Sequence, residues 1–403
     1  MNKYKTIDDL GDLNGKVVML RADLNVPMDE NFNVTNTARI DRTVPTIKEL
    51  MSKGAKVVVI SHFGRPKGKR TVEDSLSHIV KDLEKSLGKH VVFVDDCIGD
   101  KVTAAISAMK NDEILLLENL RFYNEEEAGD VEFAKKLTAP VDIYVSDAFS
   151  TSHRAHASMV AAAQQKPSAM GRLMGEEVTA LEKGLSDPKR PLIAIVGGSK
   201  VSTKLDLLNN LVKKVDKLVI SGGMAHTFMK ANGIDTVNTN NSLVQMDMLE
   251  TAQNITTTAK ANNCEIILPV DVVVSKEFKP MAEHKTVDLE HIPAEGWSLL
   301  DVGAKTIAAI NAKLDECKTL VWNGPLGVFE MKPFDTATNA VAAHAAALTQ
   351  AGKLMSVAGG GDTVSALENA GVADKLTYIS TAGGAFLEWM EGKQLPGVVV
   401  LRK

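Results

Sequence analysis

Short apolar runs rich in Val, Ile and Leu recur along the whole chain, and segments with helical periodicity separate many of them. Runs that are apolar on both faces are typical of strands buried in a parallel sheet. The predicted strands span residues 17–20, 57–60, 91–94, 114–117, 143–145, 192–196, 218–220, 266–268, 320–322, 354–357 and 398–401. The clearest predicted helices span residues 72–87, 201–212, 246–261 and 337–348. This alternation predicts an α/β protein with two doubly wound parallel sheets.

The chain is expected to divide near residues 171–190. A length of 403 residues exceeds what one ordinary hydrophobic core supports and suggests two or three domains. Val178, Leu181 and Leu185 recur at helical spacing, so we predict a connecting helix. That helix is either an ordinary surface helix or a hinge between two rigid bodies.

Charge and cysteine content narrow the class of protein. The formal net charge is −5, which argues against a general nucleic-acid binder or a membrane-surface protein, since both need a basic face. The three cysteines lie far apart in the sequence, so they predict neither a disulfide framework nor a CxxC metal site. No apolar stretch has the length of a signal-peptide core or of a membrane helix. We therefore expect a cytoplasmic protein with reduced thiols.

Polar residues, many of them Arg or His, follow the predicted strands of the first half. Ligands of open α/β sheets bind at the carboxyl ends of the strands. One such histidine is more often structural, and one such arginine is often a surface ion pair of small energy. Several cations at one sheet edge instead predict a site for a small polyanion. The residues concerned are Arg21, Asp23, Asn25, His62, Arg65, Glu118, Asn119, Arg121, Asp147, His153, Arg154 and His156.

Glycine-rich turns follow the predicted strands of the second half, at residues 197–200, 221–223, 322–327, 359–363 and 381–384. Glycine lets backbone N–H groups approach a phosphate, and the helix that follows presents the positive end of its dipole. A single turn of this kind is often an ordinary tight turn. The repetition predicts a nucleotide or phosphate site.

Three charged residues of these turns are candidates for chemistry. We expect Lys200 in the first turn of a helix, with Lys204 four residues on and facing the same way. Two cations are disfavoured there, so they are either solvated or held for an anion. Asp362 is a candidate ligand of Mg²⁺, which commonly takes one carboxylate plus phosphates and waters. It could equally be a helix N-cap, or serve both roles.

Several motifs are absent from the sequence. It has no GxxxxGK[ST] P-loop, no HRD and DFG pair of a protein kinase, and no GxSxG nucleophile elbow. No GxGxxG follows a predicted strand, which weakens the case for a dinucleotide-dependent dehydrogenase. The remaining hypothesis is a phosphate-handling protein of another kind.

Motifs spread over nearly the whole chain closely resemble the phosphoglycerate kinase family. They are RADLNVP (21–27), TARIDRTVPTI (37–47), SHFGRP (61–66), ENLRFYNEE (118–126), SDAFSTSHRAHAS (146–158), GGSKVSTK (197–204), WNGPLGVFE (322–330), GGGDT (359–363) and LEWMEGKQLPGV (387–398). The resemblance implies exchange of a phosphoryl group between 1,3-bisphosphoglycerate and ADP, which yields 3-phosphoglycerate and ATP, with Mg²⁺ as cofactor. It also implies a cytoplasmic monomer.

The resemblance implies two Rossmann-like domains that close by hinge bending. The first would span residues 1–172 with about 388–403, where the C-terminal segment returns, and would bind phosphoglycerate. Residues 173–187 would form the connecting hinge helix. Residues 188–387 would form the nucleotide-binding domain.

The resemblance also implies roles for individual residues. Phosphoglycerate would be bound by Asp23, Asn25, Arg39, His62, Phe63, Gly64, Arg65, Arg121 and Arg154. The transferring phosphoryl group would meet Arg39, Lys200 and the backbone N–H groups of Gly383 and Gly384. Nucleotide would be bound by Lys204, Asn323, Glu330, Gly360, Gly361, Asp362 and Thr363, with Glu330 on the ribose and Asp362 carrying Mg²⁺.

Four positions depart from the family pattern, namely Phe63, Ser150, His226 and Ala382. Glycine is usual at the positions of Ser150 and Ala382. A positive φ at Ala382 would introduce strain, and a negative φ would cost little. None of the four removes a charged catalytic group, so we expect activity to be retained.

Three alternatives stay open on the residues alone. They are another small-molecule kinase on a similar scaffold, a non-catalytic protein that binds a phosphorylated metabolite, and an NAD-dependent dehydrogenase. A neutral acceptor would not need the Arg and His residues of the first half. A binding protein would not need Lys200, Asp362 and the glycine-rich second half.

Overall fold

The computed structural model describes residues 3–110 and 112–403, and the chain forms two compact units. The first contains the residues up to Val178 together with Gln394–Lys403, and the second contains Thr179–Lys393. The boundary falls inside the helix Arg172–Leu181 (α7). A π-helical turn, Glu182–Ser186, continues it, so helical residues occupy the region where the connecting helix was predicted.

The first unit is built on a six-stranded parallel sheet. Its strands are β1 (Val17–Arg21), β2 (Lys56–Ile60), β3 (Val91–Val94), β4 (Ile114–Leu117), β5 (Ile143–Ser146) and β6 (Ser168–Met170), in the order β3-β4-β2-β1-β5-β6. Most of the residues of β1, β2, β4 and β5 are buried, as expected for strands covered on both faces. The five strands predicted from apolar runs are confirmed, and β6 was missed.

Helices flank this sheet. They are α1 (Ala38–Ser52), α2 (Val80–Leu87), α3 (Asp100–Ala108), α4 (Asn124–Ala128), α5 (Val131–Thr138) and α6 (Ala162–Gln165). Short 3-10 turns span Ile7–Asp9, Leu76–Ile79, Leu120–Phe122 and Phe149–Thr151, and a π-helical turn spans Ala157–Ala161. The helix predicted at 72–87 starts later, at Leu76, because the Ser75 side chain accepts the Ser77 N–H and caps the turn at 3.1 Å.

The second unit has a six-stranded parallel sheet of its own. Its strands are β7 (Leu192–Val196), β8 (Lys217–Ile220), β9 (Glu265–Ile267), β13 (Thr319–Asn323), β14 (Met355–Gly359) and β15 (Tyr378–Ser380), in the order β15-β14-β13-β7-β8-β9. Its helices are α8 (Leu205–Leu211), α9 (Gly223–Ala231), α10 (Leu249–Ala261), α11 (Ala304–Glu316), α12 (Thr336–Gln350), α13 (Gly361–Asn369) and α14 (Gly384–Met390). Short 3-10 turns span Val201–Thr203, Met246–Met248, Leu289–His291 and Ala373–Lys375.

A small antiparallel sheet was not predicted. It contains β10 (Asp271–Ser275), β11 (His284–Asp288) and β12 (Ser298–Val302), with β10 in the centre. β11 is exposed or half-exposed throughout, and β12 carries the charged Asp301, so neither has the apolar run of a buried parallel strand. β10 has three consecutive valines at 272–274 and was overlooked. The sheet packs its own small core around Val272, Val274 and Leu299.

The strand predicted at 398–401 is wrong. The segment forms a short helix, α15 (Pro396–Val399), with Pro396 at its first position, where the fixed φ of proline favours a helix. Gly397 N–H donates to the Ser152 carbonyl at 2.9 Å. Lys5 N–H donates to the Leu401 carbonyl at 2.9 Å, so the C-terminal segment packs on the first unit, as predicted.

None of the helices in the described residues is long and apolar enough to cross a membrane. The three cysteines are buried and free.

Candidate active site

The strand ends of the first unit meet at one edge of its sheet. Arg21, the last residue of β1, pairs in register with Ile60 of β2 and Ser146 of β5. The polar residues that follow these strands therefore start from the same edge. Arg21 is completely buried, which is unusual for an arginine and requires partners for its charge.

A chain of hydrogen bonds joins five of the predicted site residues. Arg39 Nη1 lies 2.9 Å from Asp23 Oδ2 and also donates to the Asn25 carbonyl at 2.9 Å. The Asn25 side-chain oxygen accepts the Gly64 N–H at 3.0 Å. The Gly64 carbonyl in turn accepts from Arg121 Nη1 at 2.6 Å. These contacts hold two guanidinium groups on one polar scaffold.

His62 is held in a defined tautomer beside Arg21. Arg21 Nη2 lies 3.2 Å from His62 Nδ1. Because guanidinium only donates, Nδ1 accepts and Nε2 carries the proton. Burial, together with the charges of Arg21, Arg121 and Arg154, holds the pKa of His62 well below its usual value despite the opposing effect of Asp23. His62 is therefore a neutral donor at neutral pH.

A buried carboxylate compensates the Arg21 charge. Ser158 Oγ accepts from Arg21 Nε at 3.0 Å and donates to Glu126 Oε1 at 2.6 Å. The Ser158 N–H donates to Glu126 Oε2 at 2.9 Å. Burial raises the pKa of Glu126 against the effect of Arg21. Glu126 and Ser158 were not predicted, because their role depends on contact with Arg21, which is distant in sequence.

The other predicted residues of this unit differ in their surroundings. Arg154 is half-buried, and its Nε donates to His153 Nε2 at 3.3 Å. Burial, with the charges of Arg121 and Arg154, lowers the pKa of His156 to about 4. Arg65 is exposed. The Phe63 side chain belongs to the hydrophobic core, so only its backbone is available to a ligand.

Ser150 makes a contact that glycine could not make. Its hydroxyl donates to Asp23 Oδ2, the oxygen that Arg39 also binds. Burial alone would raise the pKa of Asp23, but the surrounding positive charges and the Ser150 hydroxyl hold it below its usual value. The departure from the family pattern thus adds a donor to the Arg39 site.

The second unit contains a cavity of about 1050 Å³. All the residues predicted to bind nucleotide line it, as do the two glycines predicted to meet the phosphoryl group. They are Lys204, Asn323, Glu330, Gly360, Gly361, Asp362, Thr363, Gly383 and Gly384. The described residues that line the cavity do not include Lys200, which is exposed on the adjoining loop.

Hydrogen bonds fix the polar end of this cavity. Lys204 Nζ donates to Asn323 Oδ1 at 2.6 Å, and the Asn323 amide donates to the Gly359 carbonyl at 2.8 Å. The Gly324 N–H donates to Thr363 Oγ1 at 2.7 Å. Burial lowers the pKa of Lys204, against the effects of Glu391 and Asp362. An anion in the cavity would favour its charged form.

Helices begin at three of the glycine turns that line the cavity. The helices are α9 after Gly222, α13 after Gly360 and α14 after Gly383. The free N–H groups and the dipole of a helix amino end favour an anion. Gly360 has φ +98°, a backbone conformation that a residue with a Cβ rarely adopts.

The predicted helical pairing of Lys200 and Lys204 is wrong. Lys200 is extended, with φ −138° and ψ 135°, and precedes the 3-10 turn Val201–Thr203. Lys204 follows that turn, and α8 begins only at Leu205. Lys204 lines the cavity, whereas Lys200 is exposed on the adjoining loop. The two cations therefore do not share a helix face.

Ala382 introduces no backbone strain. It lies outside the left-handed region, whereas the neighbouring Gly383 has φ +53°. Ala382 is buried, and its N–H donates to Ser380 Oγ at 3.2 Å. Ala382 therefore replaces the usual glycine at little conformational cost.

One wall of the cavity was not predicted. The antiparallel sheet contributes Val272, Leu299, Leu300 and Asp301. Asp301 is buried, and its Oδ2 accepts the Ala337 N–H at 3.0 Å. Burial raises the pKa of Asp301 to about 7. This wall was missed because β11 and β12 lack the apolar runs of the main sheets, and because the run in β10 was overlooked.

A ready-made metal centre is absent from the described residues, where no group of three His, Cys, Asp or Glu side chains could hold a metal ion. Asp362 is exposed in the first turn of α13, at the glycine turn of the cavity. One accessible carboxylate beside a phosphate site fits Mg²⁺ that is held mainly by nucleotide phosphates and water.

A basic anion site on one α/β unit and a glycine-lined cavity on the other define a class of protein, a kinase of small anionic metabolites. Comparison with known proteins identifies the family. The family model described as phosphoglycerate kinase matches residues 7–393. The phosphoglycerate kinase of Methylorubrum extorquens (strain PA1) is 56% identical over 402 residues, covering 100% of this chain and 99% of that protein. That of Rhizobium meliloti (strain 1021) is 57% identical over 400 residues, covering 99% of each.

Solved structures agree with the sequence comparison. The phosphoglycerate kinase of Coxiella burnetii superposes with a TM-score of 0.91 at 40% identity, covering 99% of this chain and 98% of the other. That of Pyrococcus horikoshii OT3 gives a TM-score of 0.79 at 31% identity, covering 98% of each.

The chain belongs to the phosphoglycerate kinase family. Its reaction is the glycolytic phosphoryl transfer in which 1,3-bisphosphoglycerate and ADP give 3-phosphoglycerate and ATP, and which also runs in reverse. The predicted fold class and enzyme class are thereby confirmed. The alternatives of a dehydrogenase and of a non-catalytic binding protein are excluded.

Proposed function

We propose that phosphoglycerate binds at the basic sheet edge of the first unit and that the nucleotide binds in the cavity of the second. The observation that carries the proposal is the cavity, which gathers Lys204, Asp362 and three helix amino ends in one place. The sheet edge of the first unit carries a neutral donor, His62, and several arginine side chains. Those donors suit the carboxylate and phosphate of phosphoglycerate.

In the proposed phosphoglycerate site, cationic and uncharged residues have different roles. Arg65, Arg121 and Arg154 bind the anionic groups, because guanidinium matches phosphate and carboxylate geometry. His62 donates through Nε2, and Asp23 and Asn25 offer acceptors to the hydroxyl group of phosphoglycerate. Phe63 and Gly64 contribute backbone only.

The nucleotide site is proposed to bind phosphates at its glycine turns. Lys204 neutralises a phosphate, the N–H groups at Gly360, Gly361 and Thr363 donate to others, and Asn323 orients Lys204. Glu330 lies on the cavity wall and accepts from the ribose. Asp362 holds Mg²⁺, which supplies charge neutralisation on the phosphates when bound.

The chemical step needs no covalent enzyme intermediate. A β-phosphate oxygen of ADP attacks the phosphorus of the acyl phosphate in line, the bond from phosphorus to the carboxyl oxygen breaks, and the carboxylate leaves with that electron pair. The developing charge lies on the equatorial oxygens. Arg39, Lys200 and the N–H groups of Gly383 and Gly384 are proposed to stabilise it.

Closure of the two units is also proposed, because the residues assigned to the two substrates belong to different units. Exclusion of water on closure would protect the acyl phosphate from hydrolysis. Small-angle scattering should show a more compact form with both substrates bound than with either one alone. Identical curves in all states would contradict closure. A monomeric state and a cytoplasmic location stay predictions from the sequence.

A pair of variants tests the division of the sites. Arg154→Ala should weaken binding of 3-phosphoglycerate at least tenfold and leave ADP binding within about twofold, because one charge-assisted contact is worth roughly 1.5–3 kcal/mol. Lys204→Ala should do the reverse. Calorimetry with each ligand measures both. The exposed Lys48 and Lys213 provide Ala controls on the two units.

The coupled assay with ATP, 3-phosphoglycerate and Mg²⁺ then tests the catalytic assignments. Turnover should be lost in Lys200→Ala, although both ligands still bind. Asp362→Asn should raise the Mg²⁺ concentration needed for half-maximal activity and should not weaken the binding of metal-free ADP. Equal effects of Arg154→Ala and Lys204→Ala on both ligands would overturn the division of the sites.

A further inference from the structure

One face of helix α9 runs along the cavity. Gly222, Gly223, His226 and Met229 all line it, at the three- and four-residue spacing of one helix face. With a rise of about 1.5 Å per residue, His226 lies about 4.5 Å along the axis from Gly223, and Met229 lies about as far again. The face therefore leads from the anion-binding amino end of the helix to an apolar region.

The apolar region is the part of the cavity beyond the phosphate turns. Met229 belongs to the small hydrophobic core with Val272 and Leu299, and all three line the cavity. Leu243 lines it as well. A ligand whose phosphates lie at the glycine turns would place its heterocyclic base against such a surface, since nucleotide pockets are mainly apolar with a few polar groups that set orientation.

His226 is the polar group on this stretch of the helix, and its ring is fixed. Its Nδ1 accepts the Leu243 N–H at 3.1 Å, so the neutral ring carries its proton on Nε2. Only 7% of the residue is exposed. In the described part of the chain the hydrogen bond of this ring is the one at Nδ1, and His226 lines the cavity.

The ring is also uncharged. Burial lowers the pKa of His226 to about 4, so the imidazole is neutral throughout the physiological range. A neutral N–H group in an apolar wall favours ligands that place a hydrogen-bond acceptor opposite it over ligands that do not. Unlike a cation, it does not attract anions in general.

We propose that His226 reads the nucleobase, by donating from Nε2 to a ring-nitrogen or carbonyl acceptor on the edge of the base. The assignment deepens the proposed nucleotide site and rests on it. The family pattern leads us to expect a different residue at this position, so the contact would be a property of this chain. A structural role is the competing explanation, in which His226 serves only to hold the Leu243 N–H.

Two isosteric variants separate these roles. Asn places its side-chain oxygen where Nδ1 lies, so His226→Asn keeps the acceptor for Leu243 and loses the donor. Gln places its amide nitrogen where Nε2 lies, so His226→Gln keeps the donor and loses the acceptor. The probe is ADP, with dissociation constants measured by calorimetry. Melting temperatures show whether each variant is folded.

The decisive quantity is the ratio of the ADP dissociation constants, Asn variant over Gln variant. A base-reading donor predicts a ratio of about 5 to 10, the effect of one neutral hydrogen bond. A ratio of 1 or less would overturn the proposal, because the donor would then contribute nothing. Inorganic tripolyphosphate, which has no base, should give a ratio of 1. A ratio that persists with tripolyphosphate would also overturn the proposal.

Failure of the underlying site is recognised separately. The unchanged protein must first bind ADP, and absence of that binding would refute the nucleotide site before any variant is compared. His344→Asn and His344→Gln are matched controls, since His344 lies on α12 and contacts Asp315 at 2.8 Å. Both should bind ADP as the unchanged protein does.

Discussion

Arg39 and Asp23 form an ion pair of 2.9 Å in which the carboxylate is largely buried and the guanidinium is about one-third exposed. The buried carboxylate, with the Asn25 carbonyl, fixes one side of the Arg39 head group. Both contacts use Nη1, and the partly exposed head group can meet an incoming anion. A cation oriented in advance costs little reorganisation during a reaction, which is the condition for effective electrostatic catalysis.

Arg39→Ala should therefore reduce kcat by about a hundred- to a thousand-fold, the usual effect of removing one transition-state donor. The affinity for ADP should be unchanged. Steady-state kinetics in the coupled assay and ADP calorimetry measure the two effects. Lys48→Ala, an exposed change on the same helix, is the control and should keep full activity. A kcat within threefold of the unchanged enzyme would refute the role of Arg39.

His62 should change its protonation behaviour when phosphoglycerate binds. In the free protein its pKa lies well below the usual value because of burial and neighbouring cations. A bound anion favours the protonated ring, so 3-phosphoglycerate should raise that pKa. Nitrogen chemical shifts of the imidazole, followed against pH, report the titration and the proton on Nε2. His226, in the other unit, should be unaffected, and a fall in the His62 pKa would contradict this interpretation.

The low pKa of the buried histidines also makes the free energy of unfolding depend on pH. The unfolded chain binds protons near pH 6.5, where His156 and His226, each with a pKa of about 4, remain neutral. Their contribution to stability is thus present above pH 6.5 and is lost as the pH falls toward about 4.

Ala382 and Gly383 are neighbours with opposite backbone requirements. Gly383 has φ +53° and open space where a Cβ would lie, so Gly383→Ala should cost about 1–2 kcal/mol of backbone strain. It should also lower kcat by roughly tenfold or more, because the N–H group at the proposed transfer site moves. Ala382→Gly should cost at most about 1 kcal/mol through the unfolded state and leave kcat unchanged. Denaturant unfolding and kcat measure both, and a large loss of kcat in Ala382→Gly would contradict this account.

Much of the fold could be predicted because burial on both faces leaves a clear signal. The Val- and Ile-rich runs mark the central parallel strands, and their ends identify the ligand-binding edges. The same signal failed at 398–401, where Pro396 and contacts with the first unit produce a helix instead. Apolarity alone does not distinguish a strand from a short buried helix.

The sites were predictable only where function depends on residue type along a local segment. Lys204 was identified, but its geometry was not, since a 3-10 turn separates it from Lys200. Glu126 and Ser158 were missed because their role depends on contact with Arg21, which is distant in sequence. Tertiary contacts of this kind leave no periodic trace in the chain.

Asp301 gives a pH-dependent test of the second unit. Its Oδ2 accepts the Ala337 N–H, and Oδ1 has no hydrogen-bond partner in the described residues. Burial raises its pKa from the ordinary Asp value of 3.8 to about 7. Between these values the native state keeps a proton that the unfolded chain has released. Its contribution to stability is therefore complete below about pH 4 and is lost as the pH rises toward 7.

Asp301→Asn removes this titration and keeps an oxygen for the Ala337 N–H. The free energy of unfolding of the unchanged protein, minus that of the variant, should fall by about 2 kcal/mol between pH 5 and pH 7. Tryptophan fluorescence reports the second unit alone, because Trp297, Trp322 and Trp389 all lie in it. Other titrating groups are common to both proteins and cancel in the difference. Asp374→Asn, at an exposed position of the same unit, is the control and should show no comparable change. If the difference in free energy of unfolding for Asp301→Asn does not depend on pH, the buried carboxyl group does not hold its proton.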